Sequence, residues 1–292
     1  MRRLFGLFLF FVPAPALAHE GLQAGWTLDL WVTGPLTLSA VLYTIGFARL
    51  WTRSSHGRDS LRRSGLLFAA GWLVLAAAVV SPLHEAGERS FTMHMIEHEI
   101  LMLPAALLLM ASRPGAAMLW GLPTRARAAL ARIASSGKGL WRFLTDPVIA
   151  TGLQIVALWG WHVPALFDRA LESDGWHIAQ HLSFLATALL FWWAMAHGRA
   201  GRGGYGTSAM CLFLTSLVGG ALGALMAFSA SPWYARYAAM GMTPAGLSPA
   251  EDQQLAGLVM WIPGGLFHGA AALFFLYKWL KASEVGHAVA AE

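Results

Sequence analysis

FTMHMIEHEILMLPAALLLMA, residues 91–111, decides how the chain is read. A helix needs about 20 apolar residues to cross a bilayer, and this stretch is long enough. Yet its first turns carry His94, Glu97, His98 and Glu99. Ionisable groups inside a membrane are costly and by default mark function. On a helix, His94 and His98 lie four residues apart, about 40° around the axis, and share a face. Met95 and Met102 fall within roughly 100° of arc on the same side. A second stretch, residues 176–196, repeats the device with His177 and His181.

Around these stretches the composition fixes the class. The 292 residues are 57% hydrophobic and 12% charged, against about 25% charged in a soluble domain. The fold class is all-α: a polytopic membrane protein whose spans form one bundle. The net charge of +5 does not indicate nucleic acid, because the basic residues follow the membrane topology. Cys211 is the only cysteine, which excludes an internal disulfide, a CxxC shuttle and a cysteine-rich zinc site.

Residues 1–18 read as a cleaved signal peptide, with Arg2 and Arg3 before an apolar core and Ala16-Leu17-Ala18 as cleavage signature. Cleavage would leave His19 as the N-terminus. Seven spans are expected near 28–50, 65–82, 91–111, 147–165, 176–197, 207–230 and 253–280, making 19–282 a seven-helix transmembrane domain and 283–292 a cytoplasmic tail. Fifteen Lys and Arg, among them Arg49, Arg62, Arg125, Arg142 and Lys278, fall on one side; Arg89, Arg169 and Arg236 fall on the other. The bias puts the N-terminus outside and the C-terminus inside. The connection at 112–146 contains LPTRARAALARI, which reads as a basic amphipathic helix on the bilayer surface. Gly219-xxx-Gly223 and Gly265-xxx-Gly269 have the spacing of close helix contacts.

Topology then sorts the eleven histidines. His19, His84, His94, His98, His162, His177 and His181 fall at the outer face, and His268 stands alone near mid-membrane. A rise of 1.5 Å per residue puts His94 and His98 roughly 5 and 10 Å below the surface, and His177 and His181 roughly 2 to 8 Å below it. Should their helices be neighbours, four imidazoles converge, with His162 placed to join them. Imidazole suits zinc, copper, iron or nickel, and nearby methionine favours copper(I). The expected metal set is therefore His94, His98, His177 and His181, assisted by Met95, Met102 and His162. Glu97 and Glu85 are placed to orient the rings. His268 is a candidate second station, and Asp252 either a capture site or a helix cap. Met240 and Met242 read as membrane contacts. No nucleophile–base pair emerges, so the expected protein is not an enzyme.

His94-Met-Ile-Glu-His98-Glu-Ile-Leu-Met, Trp161-His-Val-Pro164, His177-xxx-His181, Phe191-Trp-Trp193 and Asp252-Gln-Gln-Leu-Ala-Gly-Leu-Val-Met-Trp261-Ile-Pro-Gly264 together resemble the CtaG family of caa3-type cytochrome c oxidase assembly factors. The resemblance implies a seven-span plasma (inner) membrane protein of the respiratory chain. It implies oxidase maturation, with haem-copper oxidase subunits as partners and copper as cargo. It points to His94, His98, His177, His181 and Asp252. Two rival expectations stand beside copper delivery. One is a bis-histidine haem b electron carrier; the other is a metal-free assembly scaffold.

Overall fold

The computed structural model describes residues 25–54, 56–198 and 202–290, and every regular element among them is helical. The expected signal peptide and His19 lie outside the described residues. Helices α1 (Leu30–Arg53) and α2 (Arg58–Val80) are followed by the short α3 (Pro82–Arg89). The next span is continuous from Phe91 to Ser112: α4 (Phe91–Ile100), a π-helical turn (Leu101–Ala105) and α5 (Ala106–Ser112). Three connecting helices, α6 (Gly115–Gly121), α7 (Thr124–Ser136) and α8 (Lys138–Leu144), lead to α9 (Pro147–Trp161) and α10 (Pro164–Glu172). Then come α11 (Asp174–His197), α12 (Arg202–Ala227), the short α13 (Ala235–Met240) and α14 (Pro249–Ala290).

Six of these segments are long and apolar enough to cross a membrane, and a seventh is counted only if α8 and α9, bent by 66°, form one broken span. The expected fourth span over 147–165 is thus a 15-residue helix that stops at Trp161. Pro164 is the cause: its ring disfavours helical backbone in the preceding residue, and Val163 is extended at φ −62°, ψ 125°.

Local chemistry places the helix ends. Ser81 accepts from the Leu83 N–H ahead of Pro82 at the start of α3. Ser248 and Glu251 form a reciprocal capping box at α14: the Ser248 N–H donates to Glu251 Oε2 at 2.8 Å, and the Glu251 N–H to Ser248 Oγ at 3.4 Å. The Arg49 guanidinium donates to the Trp120, Gly121 and Leu122 carbonyls and so closes the end of α6.

Phe91–Ser112 is the most buried of the six spans and forms the centre of the bundle, packed by α2, α11 and α14. Pro104 lies inside its π turn, where the missing N–H breaks the regular ladder. The Trp192 indole N–H donates to the Met102 carbonyl in that turn at 3.0 Å. Helices α12 and α14 form the most extensive pairing. A Cβ added at Gly223 would lie 2.7 Å from the Gly257 carbonyl, so Gly223 takes the expected close contact. Gly265 and Gly269 do not, since a Cβ at Gly265 would meet only Ser216 Oγ at 3.7 Å and one at Gly269 nothing within 4 Å. Gly257 supplies the partner face instead. The basic stretch expected on the surface is α7, which buries none of its residues.

Candidate metal centre

The site begins with how α4 is held. Its first N–H groups have no partner within the helix, and Asp252 of α14 supplies one. The carboxylate accepts from Ser90 Oγ at 2.8 Å, Phe91 N at 2.6 Å and Thr92 N at 3.2 Å. Thr92 Oγ1 donates to the Asp252 carbonyl at 2.9 Å. Asp252 therefore caps a helix, but that helix is α4 rather than its own, and both carboxylate oxygens are occupied there by donors that are not histidines. A negative charge at a helix N-terminus is also favoured by the helix dipole.

With α4 fixed at this end, its histidines meet those of α11. Ring centroids are 4.3 Å apart for His94 and His98, and 4.4 Å for His177 and His181. Across the two helices, His94 lies 5.2 Å from His177 and His98 lies 5.1 Å from His181. A fifth ring joins them: His84 of α3 stacks on His177 at 5.2 Å. Glu97 closes the group, its Oε1 lying 2.8 Å from His84 Nδ1 and 3.7 Å from His181 Nδ1. Two sets of metal-competent atoms result, each within 4.8 Å: His94, His98 and His181, and His84, Glu97 and His181.

The hydrogen bonds fix which ring nitrogen carries a lone pair. Tyr237 of α13 has one hydroxyl proton, and burial pushes its pKa well above 10, so that proton stays. The proton goes to the Gly87 carbonyl, an obligate acceptor, at 2.6 Å. At His94 Nδ1, 3.2 Å away, the phenol must then accept, which makes Nδ1 the protonated nitrogen and leaves Nε2 as a lone pair. His94 Nε2, both nitrogens of His98, and Nε2 of His177 and of His181 are buried with no hydrogen-bond partner. Buried polar atoms are nearly always satisfied by protein, water or an ion, so five orphaned nitrogens in one cluster are exceptional. His84 behaves differently. Burial disfavours its charge, but the hydrogen bond and negative charge of Glu97 outweigh that and raise its pKa above 6.5.

The remaining candidates divide. Met95 is fully buried and its Sδ lies 3.5 Å from His162 Nε2, while His162 Nδ1 donates to the Leu158 carbonyl at 2.7 Å. Met102 lies deeper, accepting from Gln154 Nε2 at 3.6 Å. His268 is deeper still, donating from Nδ1 to the Gly264 carbonyl at 2.9 Å and stacked on Trp192. Glu85 accepts the Gly25 N–H. Met240 and Met242 are exposed. Sequence reasoning did not count His84 among the ligands, nor Tyr237 as the group that orients His94. The signal for His84 was its place at the outer face with the other histidines, beside Glu85 in a short stretch between two spans.

A cavity of about 680 Å³ leads to the cluster. Its polar end is lined by His84, Glu85, Glu88, Asp174, His177 and His181, whereas His94 and His98 lie behind it, each 1% exposed. Acidic groups around such a mouth attract cations.

No curated protein and no solved structure matches the chain. One family does match, described as cytochrome c oxidase caa3 assembly factor, over residues 41–282. That range runs from α1 into α14 and contains the whole histidine cluster, so the chain belongs to the Caa3_CtaG family of cytochrome c oxidase caa3 assembly factors.

Proposed function

We propose that this protein is a membrane-embedded copper carrier that supports metal-centre maturation of a haem-copper oxidase. The observation that carries the reading is the set of five buried ring nitrogens on His94, His98, His177 and His181 that lack any hydrogen-bond partner. One ion can take a nitrogen from each of His94, His98 and His181, whose ligand atoms lie within 4.8 Å of one another, and an imidazole-rich set suits copper among the first-row metals. His84, His177 and His181 line the cavity and receive the ion first; His94 and His98 hold it deeper. Glu97 orients His84, and Tyr237 keeps the His94 Nε2 lone pair free. The ion leaves by ligand exchange to an oxidase subunit in the same bilayer, so no covalent step is needed.

The bias of Lys and Arg between connections supports a plasma (inner) membrane orientation with the N-terminus outside and the histidine end facing the periplasmic side. Counting α8 and α9 as one broken span gives the seven crossings that this orientation requires. Contact between the rings favours an ion over haem b, because a porphyrin needs a slab of open space between its two axial imidazoles.

The test is the copper content of purified protein, wild type against His94→Ala/His98→Ala, with an absorption spectrum of the same samples. Copper bound by the wild type and diminished in the variant supports the assignment. Equal copper in both removes it, and a Soret band with sharp reduced bands replaces it by the haem reading. Copper-free protein that still matures the oxidase after all four His→Ala changes is a scaffold.

A further inference from the structure

Below the histidine cluster, the centre of the bundle holds a second polar group that the proposed carrier site does not use. A cavity of about 30 Å³ is lined by Glu99, Met102, Gln154, Met260 and His268. Its size matches one ion or one water molecule. Glu99 Oε2 is sealed from the surface and has no hydrogen-bond partner. Gln154, 6% exposed, likewise leaves its Oε1 unpaired, while its Nε2 donates to Met102 Sδ. A Cβ added at Gly264 would lie 2.8 Å from Glu99 Oε2, so the carboxylate rests directly on the α14 backbone. The Gly264 carbonyl accepts from His268 Nδ1, which in the neutral ring leaves Nε2 as a lone pair. Glu99 and His268 thus each approach Gly264 and line the same cavity, with Met102 and Met260, 4% and 5% exposed, lining it too.

We infer that Glu99, Met102, Met260 and His268 form a second binding site, for a soft monovalent cation of the copper(I) or silver(I) type. Two thioethers are soft donors and an imidazole a borderline one, a set that hard cations such as magnesium or calcium do not seek. The single carboxylate balances a single positive charge, whereas a divalent ion would leave a net charge buried among apolar helices. The two sites adjoin along α4: Glu99 follows His98 directly, and Met102 stands one turn after His98. Choosing copper(I) rests on the copper reading of the histidine cluster. The site itself rests on its own residues.

The experiment titrates full-length protein in nanodiscs with copper(I) against a competing chelator, followed by X-ray absorption of the bound ion. Wild type, His94→Ala/His98→Ala and Met102→Leu/Met260→Leu are compared, with thermal unfolding of each to verify the fold. The expected result is that the wild type binds two equivalents. The histidine variant should keep one equivalent with sulfur in its coordination shell, and the methionine variant one with nitrogen alone. If the histidine variant loses all copper, or if the methionine variant matches the wild type in both amount and sulfur signal, the second site does not exist. Wild type that binds no copper(I) also overturns it. Copper unaffected by the histidine changes but halved by the methionine changes leaves the second site standing and removes the first.

Discussion

Asp252 and the histidine cluster lie on adjoining turns of the same structure, and both are buried polar groups, yet they are treated in opposite ways. Asp252 is 2% exposed, and its carboxylate takes three donors from the start of α4. His98 is 1% exposed, and neither of its nitrogens has a partner. Satisfied burial stabilises a fold, whereas unsatisfied burial costs about 1–3 kcal/mol per group. The first is what an anchor looks like. The second persists only where something other than the fold accounts for it, and the copper site proposed above is such an account.

The largest effect is expected at the anchor. Asp252→Ala strands Ser90 Oγ and the Phe91 and Thr92 N–H groups, and should cost about 3 kcal/mol, read as a lowered thermal midpoint of the metal-free protein. An unchanged midpoint would show that α4 does not depend on this cap. The cluster should respond to metal instead. Copper at a hundredfold over its Kd should stabilise the wild type by about 2.7 kcal/mol, and His94→Ala/His98→Ala should lose that gain. Tyr237→Phe comes next. It removes the acceptor that holds the His94 Nδ1 proton, and should weaken copper binding roughly tenfold, in line with other groups that orient metal ligands. Undiminished affinity would show that the tautomer is set elsewhere. His98→Leu should then leave the metal-free protein as stable as the wild type, or more stable by about 1 kcal/mol, because it deletes two orphaned nitrogens at similar volume. A marked loss of stability would erase the contrast with Asp252.

The division between these two regions also sets how much could be read from sequence. The all-helical membrane class and the pairing of His94 with His98 and of His177 with His181 are legible, because they follow from helical period within a single segment. That the two pairs meet is not legible, since it depends on how α4 and α11 pack. His84 is hidden for a related reason: nothing local shows that α3 folds back over α4, with Gly87 close against His94. Asp252 illustrates the same limit from the other side. Its position just inside α14 suggests a cap, but which helix it caps is a tertiary fact. Met95 and Met102 share an arc on the helical wheel, yet they meet different points along α9, one at His162 and the other at Gln154.

The smallest expected effect concerns His84, the histidine of the group that is hydrogen-bonded to a carboxylate. Its pKa is raised in the fold by Glu97, so its protonated form is stabilised relative to the unfolded chain. That contribution is fully present below the unfolded value near 6.5 and is lost as pH rises through the higher folded value. Its size should be on the order of 0.5 kcal/mol, as for a partly exposed ion pair; the His84 side chain is 13% exposed. Relative to His84→Gln, the thermal stability of chelator-treated wild type should therefore fall slightly as pH rises from about 6 to 8. Copper reverses the sign, because a ligating imidazole must be unprotonated, so affinity should climb over the same interval in the wild type. Should His84→Gln keep the full pH dependence of both stability and affinity, the ion pair with Glu97 contributes to neither. His84 would then belong with Asp252, as a residue that serves only the fold.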